Sequence, residues 1–94
     1  MSDPAGDHYT VELAGTARRD LGEVPPRIVS AIIEFIYGDL ARHPRRVGKP
    51  LLRELEGLWG ARRGPYRIIY EIMDERLVVL VVHVDHRADV YRRR

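Results

Sequence analysis

From His8 to Leu13 polar and apolar residues alternate, the two-residue period of a short half-buried strand. Gly15-Thr16 interrupts it, and Thr16 is placed to N-cap a short helix from Ala17 to about Glu23. Pro25-Pro26 closes that helix, and Pro26 suits the first turn of the next, where its missing N–H costs nothing. Ile28, Ala31, Ile32, Phe35, Ile36 and Leu40 then recur at three- and four-residue spacing and draw one apolar stripe. Val29 and Ile33 widen the stripe, so this helix is expected to be covered on more than one side. It ends at His43-Pro44, because a residue before proline avoids the α region.

The second half of the chain follows the period of strands. Residues 45–52 read as a loop punctuated by Gly48 and Pro50. A strand over about Glu54 to Arg63 puts Leu55, Trp59 and Ala61 on one face and Leu58, Gly60 and Arg62 on the other, with Gly57 at a bulge. Gly64-Pro65 turns into Tyr66–Met73, where Tyr66, Ile68, Tyr70 and Ile72 share a face opposite Arg67, Ile69 and Glu71. Asp74-Glu75-Arg76 turns again into Leu77–Val84, apolar on both faces and therefore a central strand. Connections this short force an antiparallel meander. The expected fold is α+β: an N-terminal strand, a two-helix hairpin, then a three-stranded antiparallel meander in one sheet covered by the helices. A single domain over residues 1–94 is expected, with residues 1–7 and 92–94 as loose ends.

Composition narrows the setting. With no cysteine among 94 residues there is neither a disulfide framework nor a thiolate for chemistry, which suits a cytoplasmic protein. The opening Met1-Ser2-Asp3-Pro4-Ala5-Gly6-Asp7 is polar and acidic, unlike a signal peptide. The run Leu77 to Val82 is too short to cross a bilayer, so no membrane partner is expected. The net charge of +2 conceals an asymmetry. Residues 1–41 carry three Lys/Arg against seven Asp/Glu, a balance of −4, and residues 42–94 carry thirteen against seven, a balance of +6. A basic half attracts large anions such as RNA, or else is only a solvated charged surface.

Candidate chemistry lies in that basic half. There is no Gly-rich phosphate loop, no paired histidines at helical spacing and no Ser-centred elbow. No metal or other cofactor is implied. His8 and His43 sit at element ends and read as structural, and His83 as a satisfied, neutral, half-buried strand residue. His86 differs, because it follows the apolar run beside Arg87. Arg62, Arg67 and Arg87 belong to three neighbouring strands. Either they pair with Glu54, Glu56, Glu71 or Asp85, or they present a cationic surface. RNA cleavage through the ribose 2′-OH needs little more. Fixed guanidinium groups stabilise charge on the phosphoryl oxygens, and a histidine can move the proton.

The ordered segments Gly48-Lys49-Pro50-Leu51, Leu55-Glu56-Gly57-Leu58-Trp59, Arg62, Tyr66-Arg67-Ile68-Ile69-Tyr70-Glu71-Ile72, Val84-Asp85-His86-Arg87 and Val90-Tyr91 resemble the motifs of RelE-type toxins in the RelE/ParE superfamily. Ala17-Arg18-Arg19-Asp20-Leu21 followed by Pro25 resembles the family's first helix and joint. The resemblance implies a ribosome-dependent endoribonuclease that cuts mRNA after 2′-OH attack and is held inactive by a cognate, RelB-like antitoxin. Operator DNA would be met only through the antitoxin. By position, Arg67 matches the phosphate-binding arginine, Arg62 a basic residue on the preceding strand, and Arg87 the arginine closing the last strand. Tyr91 matches a C-terminal tyrosine that orients or deprotonates the nucleophile. His86 stands where related toxins have a lysine or a histidine acid. Lys49, Arg62, Arg63 and Arg67 would bind RNA.

Two departures stand out. Leu58 and Gly60 occupy positions where some members have a lysine pair, and the loop after Gly48-Lys49-Pro50 is short for the glutamate base of others. The general base stays open among Glu54, Tyr91 and water. The competing expectation is a ParE-like inhibitor that poisons DNA gyrase by binding.

Overall fold

The computed structural model describes residues 8–86. A five-stranded sheet runs in the order β1-β5-β4-β3-β2. Its strands are β1 (Thr10–Leu13), β2 (Gly48–Pro50), β3 (Trp59–Arg63), β4 (Tyr66–Met73) and β5 (Val78–His86). Strands β2 to β5 pair antiparallel and β1 joins β5 in parallel. The connection from β1 to the sheet's far side is made by α1 (Gly15–Leu21), α2 (Pro26–Phe35) and the short α3 (Pro44–Val47).

The apolar stripe of α2 does what its spacing demands. Ile32, Phe35, Ile36 and Leu40 are buried in one cluster with Ala61, Tyr66, Ile68, Tyr70, Val79, Val81 and Val84 from the sheet. Beyond Phe35 the helix widens into a π turn, Ile36–Leu40, which keeps both Ile36 and Leu40 fully buried and leaves Tyr37 outside. The meander also forms as its pattern demands. Gly64, at φ 59°, lies in the two-residue turn that joins Arg63 to Tyr66.

Four local expectations are corrected. The segment 45–52 is not all loop, since α3 and β2 lie within it and β2 adds a fifth strand on β3. Its Gly-Lys-Pro sequence carries no strand signal, and proline is tolerated there because β2 is the sheet edge. Gly57 is not a bulge. It sits at φ 97° in the turn between a 3₁₀ turn (Arg53–Leu55) and β3, which starts only at Trp59. The bulge lies elsewhere: register passes from Ile69–His83 to Tyr70–Val81, so Val82 is the extra residue. That extra residue lets Val81 and Val84, three apart, both face the core.

Thr16, finally, does not cap α1, whose N-cap is Ala14 with no side-chain bond. The Thr16 hydroxyl donates instead to the Val82 carbonyl at 2.5 Å. One turn later Asp20 Oδ2 accepts the Val84 N–H at 3.0 Å. Beyond Val81 no strand among the described residues pairs with the outer edge of β5. The (i, i+4) pair on α1 therefore serves the backbone groups that β1 leaves unmatched.

Candidate functional site

Cross-strand partners point to the same side of a sheet, so the register sorts the candidate residues into two sets. Arg62 on β3 lies opposite Arg67 on β4, which lies opposite Asp85 on β5. Two residues along, Lys49, Gly60, Ile69 and His83 form the next row on that side. Arg63, Tyr66 and His86 form the row on the opposite, helix-covered side. There the His86 ring meets Tyr66 edge-on with centroids 5.0 Å apart, and the Arg63 guanidinium lies 5.5 Å from the centre of the Phe35 ring.

The structure thus brings together Lys49, Arg62 and Arg67 and does not bring His86 or Arg63 to them. Arg87 and Tyr91 lie outside the described residues. Alternation of a strand is enough to separate His86 from Arg67, given the bulge at Val82.

A groove of about 420 Å³ opens where β2 meets β3 and β4, and Arg46, Lys49, Arg62 and Arg67 all line it. Among the described residues none of these four is in an ion pair. Arg45 and Arg76, by contrast, hold Asp74 and Glu12. Of the two arrangements the arginines allowed, cross-strand ion pairs or a cationic surface, Arg62 and Arg67 therefore adopt the second. Like charges directly opposite each other cost roughly 0.2–1 kcal/mol. Arg67 adds a second cost, because its Nε is buried with no hydrogen-bond partner among the described residues.

Gly60 explains how Arg67 reaches the groove. A side chain at position 60 would meet the Leu51 methyl at 3.2 Å and the Arg67 methylenes at 3.6 and 3.7 Å. The bare backbone leaves the lane in which the Arg67 stem lies.

The groove's outer wall is pinned from below. Tyr70 is fully buried, and its hydroxyl donates to the Pro44 carbonyl at 2.6 Å. Burial pushes its pKa up to about 12. Gly48 is required there, since a Cβ would overlap the Tyr70 hydroxyl and lie 2.8 Å from the Gly60 carbonyl oxygen. The first Gly of Gly48-Lys49-Pro50 and the second Tyr of Tyr66-Arg67-Ile68-Ile69-Tyr70 are thus one contact.

On the other side of α3, Arg45 holds Asp74 through both carboxylate oxygens and lies 5.9 Å from the centre of the Trp59 ring. The Tyr9 hydroxyl donates to the same carboxylate at 2.6 Å. The Arg45 bond and then the Tyr9 bond hold the Asp74 carboxyl below its ordinary range. Asp74 in turn raises the Tyr9 phenol.

Asp20, His83 and Asp85 bring donor atoms within 4.8 Å of one another and are the described group with metal-ligand chemistry. Asp20 Oδ2 is already engaged by the Val84 N–H and lies 3.1 Å from His83 Nδ1. Its observed work is to latch α1 to β5.

A family model described as ParE toxin of type II toxin–antitoxin system, parDE, matches residues 11–91. The chain belongs to this toxin family. Its relatives carry the RelE side of the superfamily as well. The Mycobacterium tuberculosis toxin RelG is 60% identical over 85 residues, 90% of this chain and 98% of that protein. Toxin RelE of the same organism is 46% identical over 93 residues, 98% of this chain and 93% of that protein. In the crystal structure of the Mycobacterium tuberculosis RelBE2 toxin–antitoxin complex, a chain 57% identical superposes with a TM-score of 0.82, covering 85% of this chain and 99% of that one. The isolated Escherichia coli RelE toxin shares the fold at a TM-score of 0.68 and 22% identity, over 88% of this chain and 90% of its own. The superfamily resemblance and the α+β architecture hold. No helix among the described residues of this toxin-family chain is long and apolar enough to cross a membrane.

Proposed function

We propose that this chain is the toxin of a RelBE-type pair and acts as a ribosome-dependent endoribonuclease in the cytoplasm, cutting mRNA and so arresting translation and growth. One observation carries the reading: three candidate cations, Lys49, Arg62 and Arg67, share a groove with Arg46 and none of the four is in an ion pair among the described residues. A phosphodiester would relieve the Arg62–Arg67 repulsion and give the buried Arg67 Nε an acceptor.

In this mechanism the ribose 2′-OH attacks the adjacent phosphorus, the bond to the 5′ oxygen breaks, and that leaving oxygen takes a proton from water or a ribosomal group. Arg67, with Arg62, stabilises charge gathering on the non-bridging oxygens. By the resemblance, Arg87 adds to this charge stabilisation, and Tyr91 orients or deprotonates the attacking hydroxyl. The proton acceptor is one of Tyr91, Glu54 or water. The ribosome supplies the alignment of the message that so small a surface cannot enforce. An extended, partly acidic antitoxin segment that folds on binding would silence the chain by covering Arg62, Arg67 and Arg87. Operator DNA would be contacted through the antitoxin.

The family's ParE description favours a second reading, inhibition of DNA gyrase by binding. Primer extension on a translated message after brief induction separates the two. Cleavage within codons that stops when translation is blocked is expected. An intact message together with accumulating gyrase–DNA breaks would replace the ribonuclease reading with the second.

A further inference from the structure

Arg45 and Arg46 are neighbours in one turn of helix, yet they have opposite surroundings. Arg45 is held by Asp74 and lies beside Trp59, whereas Arg46 lines the groove with no ion-pair partner among the described residues. A four-residue helix has no stability of its own, so something else must fix where Arg46 points. The fixing groups are visible at both ends of α3. The Tyr70 hydroxyl holds the Pro44 carbonyl, and Gly48 lies against the same hydroxyl. Tyr70 belongs to β4, three residues beyond Arg67, so one strand sets both the floor of the groove and its wall.

Charge counting then says what the wall is for. Each phosphodiester carries one negative charge, and the groove presents four cations. One phosphate between Arg62 and Arg67 leaves Arg46 and Lys49 unmatched.

We infer that Arg46, with Lys49, holds a second backbone phosphate of the same RNA strand beside the reacting one, and that Tyr70 is the positioning residue that aims Arg46 into the groove. The inference rests on the reading of this groove as an RNA site and deepens it. Guanidinium suits the task, because its planar fork grips two phosphate oxygens at once.

The test is a titration of the full chain, ¹⁵N-labelled at arginine, with a short oligouridylate at low salt, following side-chain Nε–H signals. Arg46 and Arg67 signals should move together and saturate at one ligand concentration, while Arg76 stays still. In Arg46→Gln the slope of log affinity against log salt should fall by about 0.7, the loss of one single-strand phosphate contact. Arg76→Gln, which removes a cation away from the groove, should leave the slope unchanged. Tyr70→Phe should lower the slope as Arg46→Gln does, with the Arg67 signal still responding. A merely structural tyrosine would leave the slope of the folded protein as it was, and that result removes Tyr70 from the proposal. If Arg67 responds and Arg46 does not, Arg46 is no phosphate contact, though the ribonuclease reading stands. If neither responds, the groove does not take RNA, and the inference falls whatever primer extension reports.

Discussion

On one side of the sheet, Tyr66, Ile68 and Tyr70 of β4 vanish beneath the helices, each packed among apolar neighbours. On the other side the residues between them include Arg67, set opposite another arginine with its Nε buried and unmatched among the described residues. The same eight-residue strand therefore carries a face that minimises free energy and a face that raises it. Strain of the second kind persists where a ligand later relieves it, and the helix-covered face supplies the stability that tolerates it.

Substitutions on β4 should separate the two faces most clearly. Arg67→Ala is expected to lower ribosome-dependent cleavage by ~10²–10³-fold, the usual cost of losing one charge-stabilising donor. Its melting temperature should stay level or rise, because the substitution removes a repulsion and an unsatisfied N–H. Ile68→Ala, one residue away, should cost about 2–5 kcal/mol of stability, while the folded fraction keeps its activity. Thermal melts beside single-turnover cleavage read both. An Arg67→Ala protein that melts early and cuts normally would reverse the assignment of the faces.

Gly60→Val sharpens the same contrast without touching a charge. The new side chain would enter the lane of the Arg67 stem and press on Leu51. A displaced guanidinium should cost up to ~10²-fold in cleavage. Full activity in this variant would mean that Arg67 acts from another position.

His86 tests the boundary between the faces. Since its ring lies beside Tyr66 on the helix-covered side, His86→Gln should cost far less than the ~10²–10⁴-fold expected of a general acid. A loss of that size, with activity in the wild type declining as pH rises, would show that the ring turns across the strand end when RNA binds.

The smallest effect is expected at Asp74, whose carboxyl is held low by Arg45 and Tyr9 on the exposed surface. A depressed carboxyl stabilises the fold above its unfolded pKa of about 3.9 and loses that contribution as pH falls through its folded value. Asp74→Asn should therefore lower the melting temperature slightly at pH 7, with the difference closing in acid. An equal difference at all pH values would mean that the contact acts by packing alone.

Long periodic segments were legible in the sequence because their pattern and their environment agree. Tyr66–Met73 begins and ends where alternation says, and the α2 stripe lies on the core. Where a residue's partner is far along the chain, the pattern is silent. Thr16 has the chemistry of a cap, but its hydroxyl goes to a carbonyl 66 residues away. β2 exists because Tyr70 and β3 hold a Gly-Lys-Pro segment that has no strand propensity. The candidate groove was legible in the same measure. Arg62, Arg67 and Lys49 could be named from their strands and motif. Arg46 could not, because contacts from distant residues, Asp74 on Arg45 and Tyr70 on the Pro44 carbonyl, decide which of two adjacent arginines faces the groove.

Val82 gives the last strand a reading frame. Upstream of it, core and solvent positions fall on one parity of residue number, and downstream on the other. Deleting that single valine would remove the bulge and leave His83, Val84, Asp85 and His86 on the sides they now hold. Pairing Val82 as a regular strand residue would instead make His83 and Asp85 exchange sides with Val84 and His86. A lineage built on this scaffold could thus change which charges its last strand offers to a ligand by straightening one bulge, leaving every side chain in the site unaltered.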